Sequence, residues 1–225
     1  NSTTQLSNHG ISLMAVNRHA EAIAEVHKAL AIDPQHADAN WNLSLSQLAI
    51  GDFANGWLQY EWRWKRSELA PHYMELPIPL WTGAEDLSGR CLFVHFEQGF
   101  GDTFQFLRYL PLLRPRVARL LMSVPDAMRH LVAANFPEVD VFSGNDVLPR
   151  FDYHIALMSL PRVLGTTLAT IPSANSPYLR APKDRIATWR RRIPRGRQLH
   201  VGLVWSGNPG HKHDEQKEPQ PLLDQ

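Results

Sequence analysis

The chain has 225 residues, 44% of them hydrophobic and 20% charged, and its formal net charge is +1 at pH 7. This length suits one large or two small domains, and the apolar fraction suffices for a core. The near-neutral charge argues against a protein built around nucleic acid, which would be plainly basic. The single cysteine, Cys91, excludes an internal disulfide and predicts a reducing, cytoplasmic setting.

Neither a membrane span nor a signal peptide is indicated by the distribution of apolar residues. The most apolar region, residues 107–124, is interrupted by arginines, so no stretch reaches the about 18 residues that a span needs. Residues 1–4 contain neither an initiating Met nor a signal-peptide pattern. We therefore expect the chain to be a piece of a longer one.

The N-terminal part of the chain shows the spacing of packed helices. Gly10, Ala22 and Ala29 recur as in a tetratricopeptide repeat, whose unit is about 34 residues. Small residues at these places let two antiparallel helices approach closely. Pro34 ends the second helix because proline lacks the backbone donor, and a second unit begins at Ala37. A generic pair of helical hairpins is the alternative to such repeats.

The last helix of this region departs from the repeat pattern. It is predicted from Phe53 to about Lys65, with Gly56 at the first small position and Arg63 at the second. Four aromatic residues surround them, namely Trp57, Tyr60, Trp62 and Trp64. Because a free-standing array needs about three repeats, we expect this helix to be a cap that packs onto the following domain.

An α/β pattern follows a Pro-rich connection. The predicted strands begin at Cys91 and then cover residues 119–124, 139–142, 152–156 and 200–205. Helices are predicted from Asp102, over residues 125–135 and around the basic run 189–192. This alternation predicts a parallel sheet with helices on both faces.

The turn after the first strand is the most informative stretch of the chain. The apolar run Cys91-Leu92-Phe93-Val94-His95 leads into Gly99-Phe100-Gly101-Asp102 and then a helical pattern. The glycines let the backbone turn sharply, and open parallel sheets bind their ligands at the carboxyl ends of the strands. Asp102 is therefore predicted either as the N-cap of the helix or as a catalytic carboxylate.

Several motifs together resemble a bacterial family in which tetratricopeptide repeats precede a glycosyltransferase-like domain. No single motif is diagnostic, but their order and spacing are. They include Gly51-Asp52-Phe53, Gly56-Trp57, Tyr60-Glu61-Trp62-Arg63-Trp64, Leu80-Trp81-Thr82-Gly83, Glu97-Gln98-Gly99-Phe100-Gly101-Asp102-Thr103, Leu148-Pro149, Ser159-Leu160-Pro161, Ile171-Pro172, Pro177-Tyr178-Leu179 and Val201-Gly202-Leu203-Val204-Trp205-Ser206-Gly207-Asn208-Pro209.

The transferase part of that family is similar to the heptosyltransferases, which implies two Rossmann-like halves with the active site between them. The resemblance implies that the first half holds a hydroxyl acceptor and the second a nucleotide-sugar. It implies Asp102 as general base, with no cofactor and no obligatory metal. After Asp214 the sequence departs from the family pattern, so we expect the donor-binding half to be truncated in this chain.

Further candidate site residues lie near the ends of two strands. The acceptor-binding candidates are Glu97, Gln98, Gly99, Gly101 and Arg108, and the donor-binding candidates are Ser206, Gly207, Asn208 and Lys212. Polar groups at a strand's carboxyl end suit hydrogen bonds to hydroxyls, and a turn after an apolar strand suits a diphosphate. Each has an ordinary alternative: a polar strand end facing water, a solvated helix residue, or a plain Gly-Asn-Pro turn.

Neither a metal site nor a nucleic-acid surface is predicted. His211, His213 and Asp214 lack a further ligand at suitable spacing. The arginines at 190–192, 195 and 197 form an isolated cluster, which is typical of a solvated helix end.

The sequence therefore predicts an α plus α/β protein. Tetratricopeptide hairpins are expected at residues 1–66, a linker at 67–90, a Rossmann-like acceptor domain at 91–197 and the start of a donor lobe at 198–225. The expected reaction is sugar transfer from a nucleotide-sugar to a hydroxyl, with the repeats recruiting a protein or peptide. The alternative is a non-catalytic tetratricopeptide scaffold.

Overall fold

A computed structural model shows a helical segment followed by a four-stranded parallel sheet with short helices, an α plus α/β architecture. It describes residues 2–66, 76–173, 176–193, 196 and 201–203. The chain divides into two compact units, the first ending at Pro182 and the second beginning at Lys183. In the described residues, no helix combines the length and the apolar character that crossing a membrane requires.

Four α-helices form the N-terminal segment: Thr3–Ala15 (α1), His19–Ile32 (α2), Ala37–Ala49 (α3) and Phe53–Tyr60 (α4). The side chain of Ser2 accepts from the Gln5 amide and caps α1, and Asp52 caps α4 in the same way. A 3₁₀ turn, Glu61–Lys65, continues directly from α4. A helix begins at Ala37, where the second unit was predicted to start, and the helix start predicted at Phe53 is confirmed, although the α-helix ends at Tyr60 rather than near Lys65.

Small residues bring α1 and α2 together as predicted. Ala22 and Ala29 of α2 are fully buried, and Val26 between them packs against Gly10 of α1. A Cβ atom built on Gly10 would lie only 2.7 Å from Val26 Cγ2, so no larger residue fits without movement. The contact therefore depends on glycine.

The parallel strands are Cys91–His95 (β1), Arg119–Ser123 (β2), Asp140–Phe142 (β3) and Tyr153–Ala156 (β4), in the spatial order β3-β2-β1-β4. The register pairs Phe93 with Leu121 on one side and with His154 on the other. Side chains alternate across β1, so Leu92 and Val94 face the main core and Phe93 and His95 the opposite face. These strands agree with the predicted ones to within a residue.

Short helices lie between β1 and β3 and after β4. They are Phe100–Phe106 (α5), Leu110–Leu113 (α6), Arg129–Asn135 (α7) and Leu160–Val163 (α8), with 3₁₀ turns before or after them. The second unit contains the helix Lys183–Arg192 (α9), none of whose residues is buried. The basic helix predicted near Trp189 is thereby confirmed.

Helical segment and sheet share one apolar core within the first unit. Tyr60 of α4 is buried with Phe106 and Leu157, and Trp57 packs against the same cluster. Residues 76–90 of the predicted linker also belong to it: Trp81 is 2% exposed, and its amide donates to the His154 carbonyl at 2.8 Å. The predicted cap therefore packs onto the sheet domain.

Two sequence predictions need correction. The N-cap of α5 is Gly99 rather than Asp102, which lies three residues later in the first turn. Residues 201–203, the described part of the strand predicted at 200–205, lie outside any helix or strand. An apolar run becomes a strand only where a neighbour completes its hydrogen-bond ladder, and the sequence does not supply that information.

Candidate functional site

The candidate site lies where β1 and β4 end side by side. The connection from β1 leads to β2 on one side, while β4 returns to the other side of β1. This reversal makes a crevice at the carboxyl ends of the two strands, which is where open parallel sheets bind ligands. Residues 96–99 form one wall of the crevice and residues 157–159 the other.

The Gly99–Asp102 turn forms the outer edge of this crevice. Asp102 is partly exposed and lies in the first turn of α5, where the helix dipole favours a negative charge. A Cβ atom built on Gly99 would lie 3.5 Å from Asp102 Oδ2, whereas one on Gly101 meets no atom within 4 Å. The Asp102 carboxylate therefore lies next to Gly99, whereas the space beside Gly101 is open.

Gln98 and Asp102 lie close to Tyr60 of the helical segment. Burial raises the pKa of the Tyr60 phenol, and the negative charges of Glu97 and Asp102 raise it further. Gln98 is half-buried, and its amide faces that phenol. Its Nε2 nevertheless makes no hydrogen bond of ordinary length within the described residues. The structure therefore brings Gln98, Gly99, Gly101 and Asp102 together.

Arg108 lies further along the same side of the molecule. Its Nε donates to the Gln105 carbonyl at 2.8 Å, and its guanidinium lies 4.7 Å from the centre of the Tyr178 ring. It lines a groove of about 100 Å³ together with Trp57, Phe106 and other residues of α4 and α5. The groove lies between the helical segment and the sheet domain, and its aromatic walls suit an apolar or planar group.

Glu97 is placed differently from the other predicted acceptor residues. Its side chain is 2% exposed and forms a two-pronged ion pair with Arg63, whose Nε and Nη2 donate to it at 2.7 and 3.0 Å. Its Oε1 also accepts from the Met158 amide at 3.1 Å. Both carboxylate oxygens are thus engaged inside the protein, and contact with an acceptor stays a prediction for this residue.

Arg63 is the residue that sequence analysis missed. Its side chain is 0% exposed, and it donates to three further groups: Glu61 Oε1 at 2.8 Å, the Tyr60 carbonyl at 3.3 Å and Ser159 Oγ at 2.7 Å. Ser159 donates in turn to Glu61 at 2.9 Å. Burial raises the pKa of the Glu97 carboxyl and the guanidinium opposes that rise. Its presence where the repeat pattern expects a small residue was the available signal.

A pair of buried histidines lies on the other face of the same two strands. Nε2 of His95 is 3.4 Å from Nδ1 of His154, and the two rings stack with 5.5 Å between their centres. Both residues are 3% exposed. Burial lowers the pKa of His95 to about 4, with further lowering from the charges of His154 and Arg63. Nothing in the sequence indicates that the two histidines pair, because they lie 59 positions apart.

The donor-side predictions lie outside the described residues. This holds for Ser206, Gly207, Asn208 and Lys212, and also for the predicted histidine and aspartate group at 211–214. Within the described part of the chain, no cluster of three or more His, Cys, Asp or Glu side chains is arranged to hold a metal ion.

Comparison with known proteins gives one distant similarity. Protein FlbA of Caulobacter vibrioides (strain ATCC 19089 / CIP 103742 / CB 15) is 27% identical over 177 residues, covering 70% of this chain and 29% of that protein. The chain thus spans less than a third of that relative's length. No protein-family model matches the chain, and no solved structure matches it.

Proposed function

We propose that this chain forms the acceptor-side lobe of a Rossmann-like, two-lobed glycosyltransferase, joined to N-terminal tetratricopeptide hairpins. The observation that carries the proposal is the glycine turn at the β1–β4 crevice, which presents the partly exposed Asp102 beside Gln98. The strand order β3-β2-β1-β4 and the close Gly10 contact between α1 and α2 are further support.

Asp102 acts in this proposal as the general base. Its carboxylate accepts the proton of the acceptor hydroxyl while the hydroxyl oxygen attacks the anomeric carbon of a nucleotide-sugar and the nucleoside diphosphate leaves. General base catalysis contributes about 10²–10⁴-fold to such a step. Gln98, Gly99 and Gly101 position the acceptor, and Arg108 binds its distal part. Ser206, Gly207, Asn208 and Lys212 are proposed to meet the diphosphate.

The hairpins are proposed to present a protein or peptide acceptor to this edge. Stacked helix pairs form a continuous groove that suits an extended chain. The aromatic groove beside Arg108 lies between α4 and α5, the helix that carries Asp102, and is proposed to hold part of such an acceptor.

Asp102→Asn tests the base directly, because it preserves shape and removes the proton-accepting charge. We expect transfer from a panel of nucleotide-sugars to fall about 10²–10⁴-fold while donor binding, measured by calorimetry, is unchanged. Asp126→Asn is the matched control, since Asp126 also lies in the first helical turn after a parallel strand, here β2. Equal transfer by wild type and Asp102→Asn would refute the role of Asp102.

A non-catalytic scaffold is the second candidate, and the burial of Glu97 favours it. Glu97, which was predicted to bind the acceptor, instead has both carboxylate oxygens engaged inside the protein, as expected for a purely structural crevice. In that case no nucleotide-sugar raises the melting temperature of the full chain. A donor-dependent rise would exclude the scaffold as the whole function.

A further inference from the structure

Arg63 joins three separate parts of the first unit at one buried point. Its guanidinium contacts Glu61 in its own 3₁₀ turn, Glu97 after β1 and Ser159 after β4. The last two residues flank the crevice at which the sheet order reverses. A charged side chain from the helical segment thus occupies the position that a ligand takes in many open parallel sheets.

The buried charges of Arg63 and Glu97 compensate each other, so each is stable in the interior only while the other is present. Arg63 and the Glu97 side chain are 0% and 2% exposed, so neither charge is solvated by water. Removing one partner of a buried ion pair leaves the other uncompensated, which is strongly unfavourable. Glu97 without Arg63 would therefore move toward water or take up a proton, and either change disturbs the residues that follow it.

A short chain of contacts connects this ion pair to Asp102. Glu97 precedes Gln98 and Gly99 directly, and its Oε1 holds the Met158 amide across the crevice. The Gly99 carbonyl then accepts from both the amide and the hydroxyl of Thr103, each at 3.0 Å. Fixing Glu97 therefore fixes the start of α5, where Asp102 lies.

We infer that Arg63 is a positioning residue for the proposed acceptor site: it fills the β1–β4 crevice and holds the Glu97–Asp102 turn in place. The inference rests on the proposed function for the identity of the site. Two consequences follow for the molecule. The end of the helical segment, which carries Arg63, contributes to the structure of the proposed acceptor site. The substrate binds against Gln98 and Asp102 at the outer edge of the crevice rather than inside the crevice.

Arg63→Ala with added ethylguanidinium tests the inference, because this small molecule replaces the side-chain atoms that the substitution removes. Amide hydrogen exchange of the full chain is followed at residues 97–103 and, for comparison, in β2. We expect exchange in the turn to rise at least about tenfold in the variant while β2 changes little. Ethylguanidinium restores protection, and ethylammonium, which has the charge without the planar fork, does not.

Arg119→Ala is the matched control, since Arg119 forms an ion pair with Asp140 at 2.5 Å on the exposed surface of the sheet. We expect it to leave exchange in the turn unchanged. An equal rise in the turn and in β2 of Arg63→Ala, or no recovery with ethylguanidinium, would overturn the inference. If Arg63→Ala does not fold, Glu97→Gln replaces it, and an undisturbed turn in that variant overturns the inference equally.

The exchange measurement needs neither donor nor acceptor, so its failure is distinct from failure of the proposed function. If the wild-type chain transfers sugar, we expect Arg63→Ala to lower kcat about tenfold with little change in the donor KM. Added ethylguanidinium is then expected to restore kcat. A change confined to the donor KM contradicts positioning of Asp102. If the wild-type chain transfers no sugar but exchange in the turn rises as expected in Arg63→Ala, the proposed transferase function is refuted and the positioning role of Arg63 is not.

Discussion

At the scale of single residues, the His95–His154 pair makes folding sensitive to acid. The pKa of His95 is lowered to about 4, from an ordinary value of 6.5, mainly because the ring is buried. Burial also lowers the pKa of His154. Between pH 6.5 and about 4 the unfolded chain binds more protons at His95 than the folded chain does, so stability falls as the pH falls.

We expect the free energy of unfolding to decrease by about 1.4 kcal/mol for each pH unit in this window through His95 alone. In His95→Gln that contribution is absent, and urea unfolding followed by circular dichroism at pH 7, 6 and 5 measures the difference in slope. Phe93→Leu is the control, because it alters the same sheet face without a titrating group and lowers stability equally at each pH. Equal slopes for wild type and His95→Gln would contradict the prediction.

The sequence predicts some of the site's local structure but not its long-range contacts. The Gly99–Asp102 turn was predictable, because a strand, two glycines and a helix follow one another along the chain. The partner of Glu97 was not, since Arg63 lies 34 positions away and only the tertiary fold joins them. Arg63 interrupted the expected small-residue pattern, and that mismatch was the only local sign of its role.

At the scale of elements, the contact of α1 with α2 depends on the absence of a side chain at Gly10. Val26 is fully buried and β-branched, so it has little freedom to move away from an added methyl group. Alanine gains about 1 kcal/mol of helix propensity over glycine, while overpacking a closed contact costs about 1–3 kcal/mol. We therefore expect Gly10→Ala to lower the free energy of unfolding by about 1 kcal/mol in urea titration.

Gly101→Ala provides the comparison, because a Cβ atom there meets nothing within 4 Å in the short helix α5. Only the propensity gain applies, so this variant is expected to equal or exceed the wild type in stability. A Gly10→Ala chain more stable than Gly101→Ala would show that α1 and α2 separate at no cost and would contradict the packing argument.

Local chemistry explains why the element boundaries were largely predictable. Asp52 caps α4 by accepting a hydrogen bond from the Asn55 amide, three residues later. Such signals are read within a few residues. Residues 76–90 were taken for a linker because they show no periodicity, yet Trp81 and Leu87 are buried. Irregular backbone that packs onto a sheet leaves no pattern in the sequence.

At the scale of the whole molecule, the helical segment and the sheet of the first compact unit share one continuous core. Trp57 packs edge-on against both Tyr60 and Phe106, with ring centres 5.5 and 5.8 Å apart, so aromatic contacts cross from α4 to α5. The Arg63 cluster crosses the same boundary. Composition changes sharply near residue 66, and the sequence therefore suggested a domain boundary where the core is continuous.

Removing residues 1–66 should consequently prevent folding of the sheet rather than release an independent domain. The truncated chain would expose Phe106, Leu157 and neighbouring core residues and leave Glu97 buried without its partner. We expect aggregation in size-exclusion chromatography and no cooperative thermal transition by circular dichroism. A chain ending at Pro182 is the control, because it keeps the whole first compact unit and is expected to retain its transition. A monomeric chain of residues 67–225 that melts cooperatively near the wild-type temperature would show that the sheet folds alone. The helical segment would then be a separate domain, as the sequence predicted.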